Sequence, residues 1–211
     1  MTTARDTRDD AGQQPGAPAR GKIIVLSGPS GAGKDAVLSP LFAAGTCPPR
    51  LRRCVTATTR APRSGEIDGV DYFFLTREEF ERRIGDGFFL EHACYAGCFY
   101  GTPRWWVEKE REGGNDVLLK IDVQGALQVR AAAPDAVLIF IAPPSTAELE
   151  RRLHGRDPGA DPADLARRLA IACDELSLAP RYDYLVINDA IDRAVEDLRA
   201  IVLAERCRTR G

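Results

Sequence analysis

Glycine spacing constrains this chain before anything else does. Residues 28 to 35 read Gly28-Pro29-Ser30-Gly31-Ala32-Gly33-Lys34-Asp35. An apolar run, Ile23-Ile24-Val25-Leu26, precedes them, and Val37, Leu38, Leu41 and Phe42 come after at helical spacing. Strand, glycine-rich loop and helix in that order form the setting of a phosphate-binding P-loop. The glycines let backbone N–H groups turn inward, and the new helix aims its positive end at the same point. Lys34 then reaches the outer phosphates as a point charge. A plain glycine turn between strand and helix would share the glycines but would not need the lysine. The final position departs from the pattern: Asp35 stands where a serine or threonine hydroxyl should meet magnesium.

The rest of the composition narrows the class. With 211 residues, 44% hydrophobic and 28% charged, the chain can bury one good core with small insertions. A net charge of −2 argues against a nucleic-acid partner, which calls for a basic excess. No apolar run is long enough to span a bilayer. Residues 1–20 lack the apolar core of a signal peptide and lack periodicity, so they are expected to form a disordered tail. Six cysteines (47, 54, 94, 98, 173, 207) are scattered without a second pair or a histidine cluster. Most of them are expected to be apolar fillers, and their scatter suggests a reducing cytoplasm.

Along the chain, Pro40 is expected to kink or shorten the first helix, with Gly45 and Pro48-Pro49 ending it. From Leu51 to about Trp106 short β-prone pieces (Cys54-Val55-Thr56, Tyr72 to Leu75) alternate with glycine turns. One brief helix there opens on a capping box, Thr76 and Glu79. This is the texture of a small mixed insertion. Near-continuous apolar strands then return at Val117–Asp122, Ala136–Ile141 and Leu185–Ile187. Helical segments lie around Leu127 and Val129, around Leu149 and Leu153, and from Leu165 to Leu176. A last amphipathic helix starts near Asp192. Buried strands alternating with helices predict an α/β fold with a doubly wound parallel sheet.

A second stretch carries chemistry: Thr56-Ala57-Thr58-Thr59-Arg60-Ala61-Pro62-Arg63-Ser64-Gly65-Glu66. Two arginines three apart can grip a phosphate with forked bonds, although an arginine pair on a loop is as often simply solvated. Motifs further along the chain give the pair its meaning: Asp68-Gly69-Val70-Asp71-Tyr72-Phe73, Phe89-Leu90-Glu91, Tyr100-Gly101-Thr102, Ile121-Asp122-Val123-Gln124-Gly125 and Ile141-Ala142-Pro143-Pro144-Ser145.

Taken in this order with the glycine loop, these motifs resemble the guanylate kinase family over roughly residues 21–206. The resemblance implies a P-loop nucleoside monophosphate kinase fold: a core of 21–50 and 107–211, a GMP-binding insertion of about 51–106, and a lid of about 150–170. It implies transfer of a phosphoryl group from ATP to GMP, and to dGMP, with Mg2+. ATP would bind through Gly28, Pro29, Ser30, Gly31, Ala32, Gly33, Lys34 and Asp35, with Asn188 near its adenine. Arg60, Arg63, Tyr72 and Tyr100 would hold the GMP phosphate, and Thr56, Glu91, Thr102 and Asp122 its guanine and ribose. Lys34, Arg60 and the lid arginines Arg152, Arg156 and Arg168 would carry catalysis. Arg167 is an alternative to Arg168, because the loop before it is one residue longer than the family's.

The base chemistry agrees with that assignment. Guanine presents N–H donors at N1 and at its exocyclic amine, which a carboxylate accepts, whereas adenine offers an unprotonated N1. Burying unmatched polar groups costs about 1–3 kcal/mol each, which suffices for discrimination. Two positions depart from the family: Asp35 in the loop, and Lys120 where an acid near magnesium is usual. Asp35 is expected to approach the metal, with Lys120 pairing to it or touching a phosphate. A kinase for another acceptor, such as ribose 1,5-bisphosphate, and a catalytically silent phosphopeptide-binding module remain the competing readings. The number of copies in the working assembly is left open by the sequence.

Overall fold

The computed structural model describes residues 20–43, 45–95, 97–156, 159 and 161–208, without the side chain of Arg156. The expected tail thus lies, but for Arg20, outside the described residues, as does most of the loop between Arg156 and Pro162 within the expected lid.

Five parallel strands build the main sheet in the order β2-β7-β1-β8-β9. They are β1 (Ile23–Ser27), β2 (Leu51–Arg53), β7 (Asp116–Lys120), β8 (Val137–Ala142) and β9 (Tyr184–Ile187). β1 lies in the middle, and alternation along it serves both faces. Ile24 and Leu26 pack with Val37, Leu38 and Leu41 of α1 (Lys34–Leu41) and with Ala194, Leu198 and Val202 of α7 (Ile191–Cys207). Ile23 and Val25 face the other way, against Val107 of α3 (Arg104–Glu112) and Ala126 and Val129 of α4 (Val123–Ala132). Helices on both faces explain why the strands read as unbroken apolar runs.

A second sheet has the order β4-β3-β6-β5. It comprises β3 (Thr56–Thr58), β4 (Tyr72–Phe74), β5 (Phe89–Tyr95) and β6 (Cys98–Pro103), covered by α2 (Arg77–Gly85). Phe80 of α2 is fully buried and stacks on Phe89 and Phe99, with ring centroids 4.3 and 5.3 Å away. Two further helices, α5 (Thr146–Arg156) and α6 (Pro162–Leu176), pack on each other through Leu149, Leu153, Leu165 and Ala172.

Four local expectations are corrected in whole or in part. Pro40 shortens α1 as expected, but the helix ends at Leu41, one residue after the proline, so Gly45 and Pro48-Pro49 are not what ends it. Cys54-Val55-Thr56 is not one strand: the chain leaves the main sheet after Arg53 and joins the second sheet at Thr56. Leu51–Arg53, read as the start of the insertion, pairs with β7 and belongs to the main sheet. The capping box is half formed. Thr76 Oγ1 accepts from the Glu79 N–H at 3.1 Å, while the Glu79 carboxylate takes Arg82 and Arg83 instead of turning back.

Candidate active site

The glycine loop leaves the C-terminal end of β1, between β7 and β8, where parallel sheets bind ligands. Gly28 has φ 144°, and a Cβ there would sit 2.2 Å from the Ile141 carbonyl oxygen. Gly33 has φ 89° and caps α1, and its Cβ would strike the Asn188 side chain at 2.2 Å. Neither position admits another residue. Lys34 Nζ donates to the carbonyls of Gly28 and Pro29 at 2.5 and 3.1 Å, folding back over the loop. Burial pulls its pKa down to about 8, partly offset by Glu175 of α6.

From Lys34 a cleft of about 460 Å³ opens between the two sheets. Seven residues singled out in the sequence line it: Lys34, Thr56, Tyr72, Glu91, Tyr100, Lys120 and Asp122. Glu91 is 4% exposed, and its Oε1 accepts from Thr102 Oγ1 at 2.5 Å. Burial lifts its carboxyl to about 7; the Thr102 bond opposes this and the Asp122 charge adds to it. Asp122 caps α4, its Oδ1 accepting from the Gly125 N–H at 2.7 Å. Gly125 is needed for close approach, since a Cβ there would lie 2.8 Å from Glu91 Oε2. Gln128 of α4 exchanges two hydrogen bonds with the His92 backbone, at 3.2 and 3.1 Å, which fixes β5 against α4.

Arg60 stands at the outer side of the second sheet, with its guanidinium carbon 5.3 Å from the Tyr72 ring centre. Tyr72 and Tyr100 meet edge to face at 6.4 Å. Arg60 Nη2 donates to both oxygens of Glu66, at 2.7 and 2.9 Å, and the Arg63 backbone N–H donates to Glu66 as well. One carboxylate therefore aligns the arginine loop. The Arg63 side chain itself is exposed.

Of the arginines expected in a lid, Arg152 lies against the P-loop. Its Nε donates to Glu148 at 2.7 Å and its Nη2 to the Asn188 carbonyl at 2.8 Å. Asn188 is buried, and its Nδ2 donates to the Ala32 carbonyl at 2.8 Å. The side chain expected beside adenine is thus already engaged in bracing the loop. Arg168 is half-buried on α6, whereas Arg167 is exposed and paired with Asp164 at 2.8 Å. The Arg156 side chain lies outside the described residues.

Asp35 Oδ1 accepts from Lys120 Nζ at 2.7 Å. Partial burial would raise the Asp35 carboxyl, but the Lys120 bond and the charges of Lys120, Arg53 and Lys34 outweigh it and leave it below the usual range. An ammonium in contact with that carboxylate is a poor neighbour for Mg2+. Among the described residues no group of three or more His, Cys, Asp or Glu side chains is arranged to hold a metal. Lys120 thus pairs with Asp35, one of the two alternatives expected for it from the sequence.

Sequence reasoning passes over Arg53, Glu66, Glu148 and Glu175. Glu66 lies inside a motif that carries chemistry, and its three-residue offset from Arg63 is the available signal. Arg53 and Glu175 reach the site only through the fold, and no spacing announces them.

A glycine loop on the central strand of a parallel sheet, a second inserted sheet and a helical pair against the loop define a P-loop phosphotransferase of the nucleoside monophosphate kinase type. The family model described as guanylate kinase matches residues 20–205. The chain belongs to the guanylate kinase family. It is 48% identical over 190 residues to the guanylate kinase of Bacillus anthracis, covering 90% of this chain and 91% of that one. It is 47% identical over 186 residues to that of Bacillus subtilis (strain 168), covering 88% and 90%. The crystal structure of guanylate kinase from Anaplasma phagocytophilum superposes with a TM-score of 0.69 at 35% identity, covering 90% of this chain and 89% of that one.

Proposed function

We infer that the chain transfers the γ-phosphoryl group of ATP to GMP, giving ADP and GDP. The observation that carries this reading is Glu91, a buried carboxylate paired to Thr102 in the cleft that opens from Lys34. Its two oxygens match the N1–H and exocyclic amine of guanine, and Thr102 leaves one lone-pair side open to them. Thr56 and Asp122 complete the base and ribose wall. dGMP is accepted through the same base contacts. Arg60 and Arg63, with Tyr72 and Tyr100, take the GMP phosphate, since an arginine fork and two phenol groups suit a dianion.

Opposite, the loop from Gly28 to Asp35 wraps the ATP phosphates, with Asn188 bracing it from beneath. Lys34 and the arginines Arg152, Arg156 and Arg168 neutralise charge as it spreads over the γ-phosphoryl oxygens. A phosphate oxygen of GMP forms the new P–O bond. The bond to the β,γ-bridging oxygen breaks, and its electron pair leaves on ADP. Little covalent help is needed, so alignment and charge carry the step.

ATP brings magnesium on its own phosphates. The described helices include none long and apolar enough to cross a membrane, and the six cysteines are free. Both features support work in the cytoplasm on small-molecule substrates. ADP release from ATP tests the reading with GMP, AMP and ribose 1,5-bisphosphate as acceptors. GMP-dependent release is expected, and its absence, or a preference for the bisphosphate, contradicts the reading.

A further inference from the structure

Neither base recognition nor the glycine loop accounts for Lys120. It ends β7 directly beside Leu26 of β1, at the edge of the sheet from which the P-loop departs. It lines the cleft together with Lys34, Arg53, Tyr72 and Tyr100. Its side chain is 28% exposed, yet its partner Asp35 is 75% exposed. A pair with so exposed a carboxylate holds weakly and is easily exchanged. The Lys120 charge also helps to depress the pKa of Lys34, so two ammonium groups repel each other across the cleft. A polyanion between them would relieve that repulsion and compete for Lys120 with more charge than Asp35 offers.

We propose that Lys120 is a phosphate-contacting residue at the junction of donor and acceptor. With both nucleotides in place its ammonium leaves Asp35 for an oxygen of the transferring phosphoryl group, and Asp35 holds it at the mouth of the loop until then. This rests on the reading of the cleft as the meeting point of ATP and GMP. The role is one that a carboxylate at position 120 cannot fill.

Calorimetry with a pentaphosphate joining adenosine and guanosine tests this on the whole chain, with EDTA present and GMP alone as the control. Lys120→Met is expected to weaken pentaphosphate binding about tenfold or more, because a charge-assisted phosphate bond is lost. GMP affinity should change less than about twofold, since the acceptor contacts are untouched. Lys120→Arg should recover most of the loss. Asp35→Ala should bind the pentaphosphate as tightly as the parent or more tightly, because Lys120 no longer has a competing partner. Unchanged pentaphosphate binding in Lys120→Met overturns the proposal. So does an equal loss for GMP, or a loss in Asp35→Ala matching that of Lys120→Met. If the parent protein fails to bind GMP, the underlying reading falls and takes this proposal with it.

Discussion

On the proposed reading one buried carboxylate, Glu91, sets what the cleft recognises, and its burial carries a cost to the fold whatever the ligand. The Glu91 carboxyl rises from 4.5 to about 7 on folding, which at about 1.4 kcal/mol per pKa unit amounts to about 3 kcal/mol. Because the folded value is the raised one, the effect is a penalty at high pH. Below about 4.5 both folded and unfolded chains hold the proton and no penalty exists. The penalty grows as pH rises toward 7 and is complete above it. Glu91→Gln keeps an acceptor for Thr102 without the buried charge. It should raise thermal stability at pH 8 by up to about 3 kcal/mol, shrinking toward zero near pH 4.5, while GMP turnover falls at least about 100-fold. Thermal unfolding at several pH values and steady-state kinetics check both halves. In the intact protein, guanosine affinity should fall about tenfold per pH unit below 7 as Glu91 takes up its proton. Guanosine lacks the phosphate, which itself titrates near 6.

Lys34 behaves oppositely, its pKa being held down to about 8 by burial within its loop. Phosphate oxygens restore the charged form, so ATP binding at pH 8, where the triphosphate is almost fully ionised, should take up about half a proton through Lys34. Titration in buffers of different ionisation enthalpy measures this, and no uptake at pH 8 would contradict the described loop. At this scale the sequence is most legible where chemistry is written locally: Lys34, Glu91, Tyr72 and Tyr100 all reach the cleft. It is least legible where partners come from afar. Asn188 belongs to the loop because β9 runs beside β8, a fact of topology that no spacing near residue 188 carries.

Elements position these side chains, and two helices show how. α4 begins on Asp122 and presses Gly125 against Glu91. Gly125→Ala gains up to about 1 kcal/mol of helix propensity, set against the cost of displacing the buried Glu91 carboxylate 2.8 Å from the new Cβ. Its methyl group would crowd the Glu91 carboxylate, and the KM for GMP should increase about tenfold or more while ATP binding stays unchanged. In α2 the Thr76 cap stands apart from the cleft. Thr76→Ala should cost about 1 kcal/mol in stability and leave GMP kinetics nearly unaltered. Kinetics alongside denaturant unfolding separate the two cases. Helix starts and buried strands are readable because caps and periodicity are local signals. The end of α1 is harder to read, because Pro40 outweighs the glycine and prolines beyond it. The strand pieces between residues 51 and 58 are harder still, since three-residue strands carry too little pattern to reveal which sheet they join.

The whole molecule brings two half-sites together from separate sheets. The parallel sheet carries the glycine loop and the Lys120 ammonium, and the second sheet carries Glu91, Tyr100 and the arginine loop. Neither sheet could bind both nucleotides, and α4, bonded to β5 through Gln128, is one tie between them. The order of the motifs along the chain conveys this division, whereas the strand order β2-β7-β1-β8-β9 comes only with the structure. The most direct test of guanine recognition compares kcat/KM for GMP and AMP with ATP as donor, in the parent protein and in Glu91→Gln. The parent is predicted to prefer GMP by at least about 100-fold, and Glu91→Gln to lose most of that preference. Equal use of AMP by the parent, or a GMP preference left intact in Glu91→Gln, would contradict a base site built on Glu91.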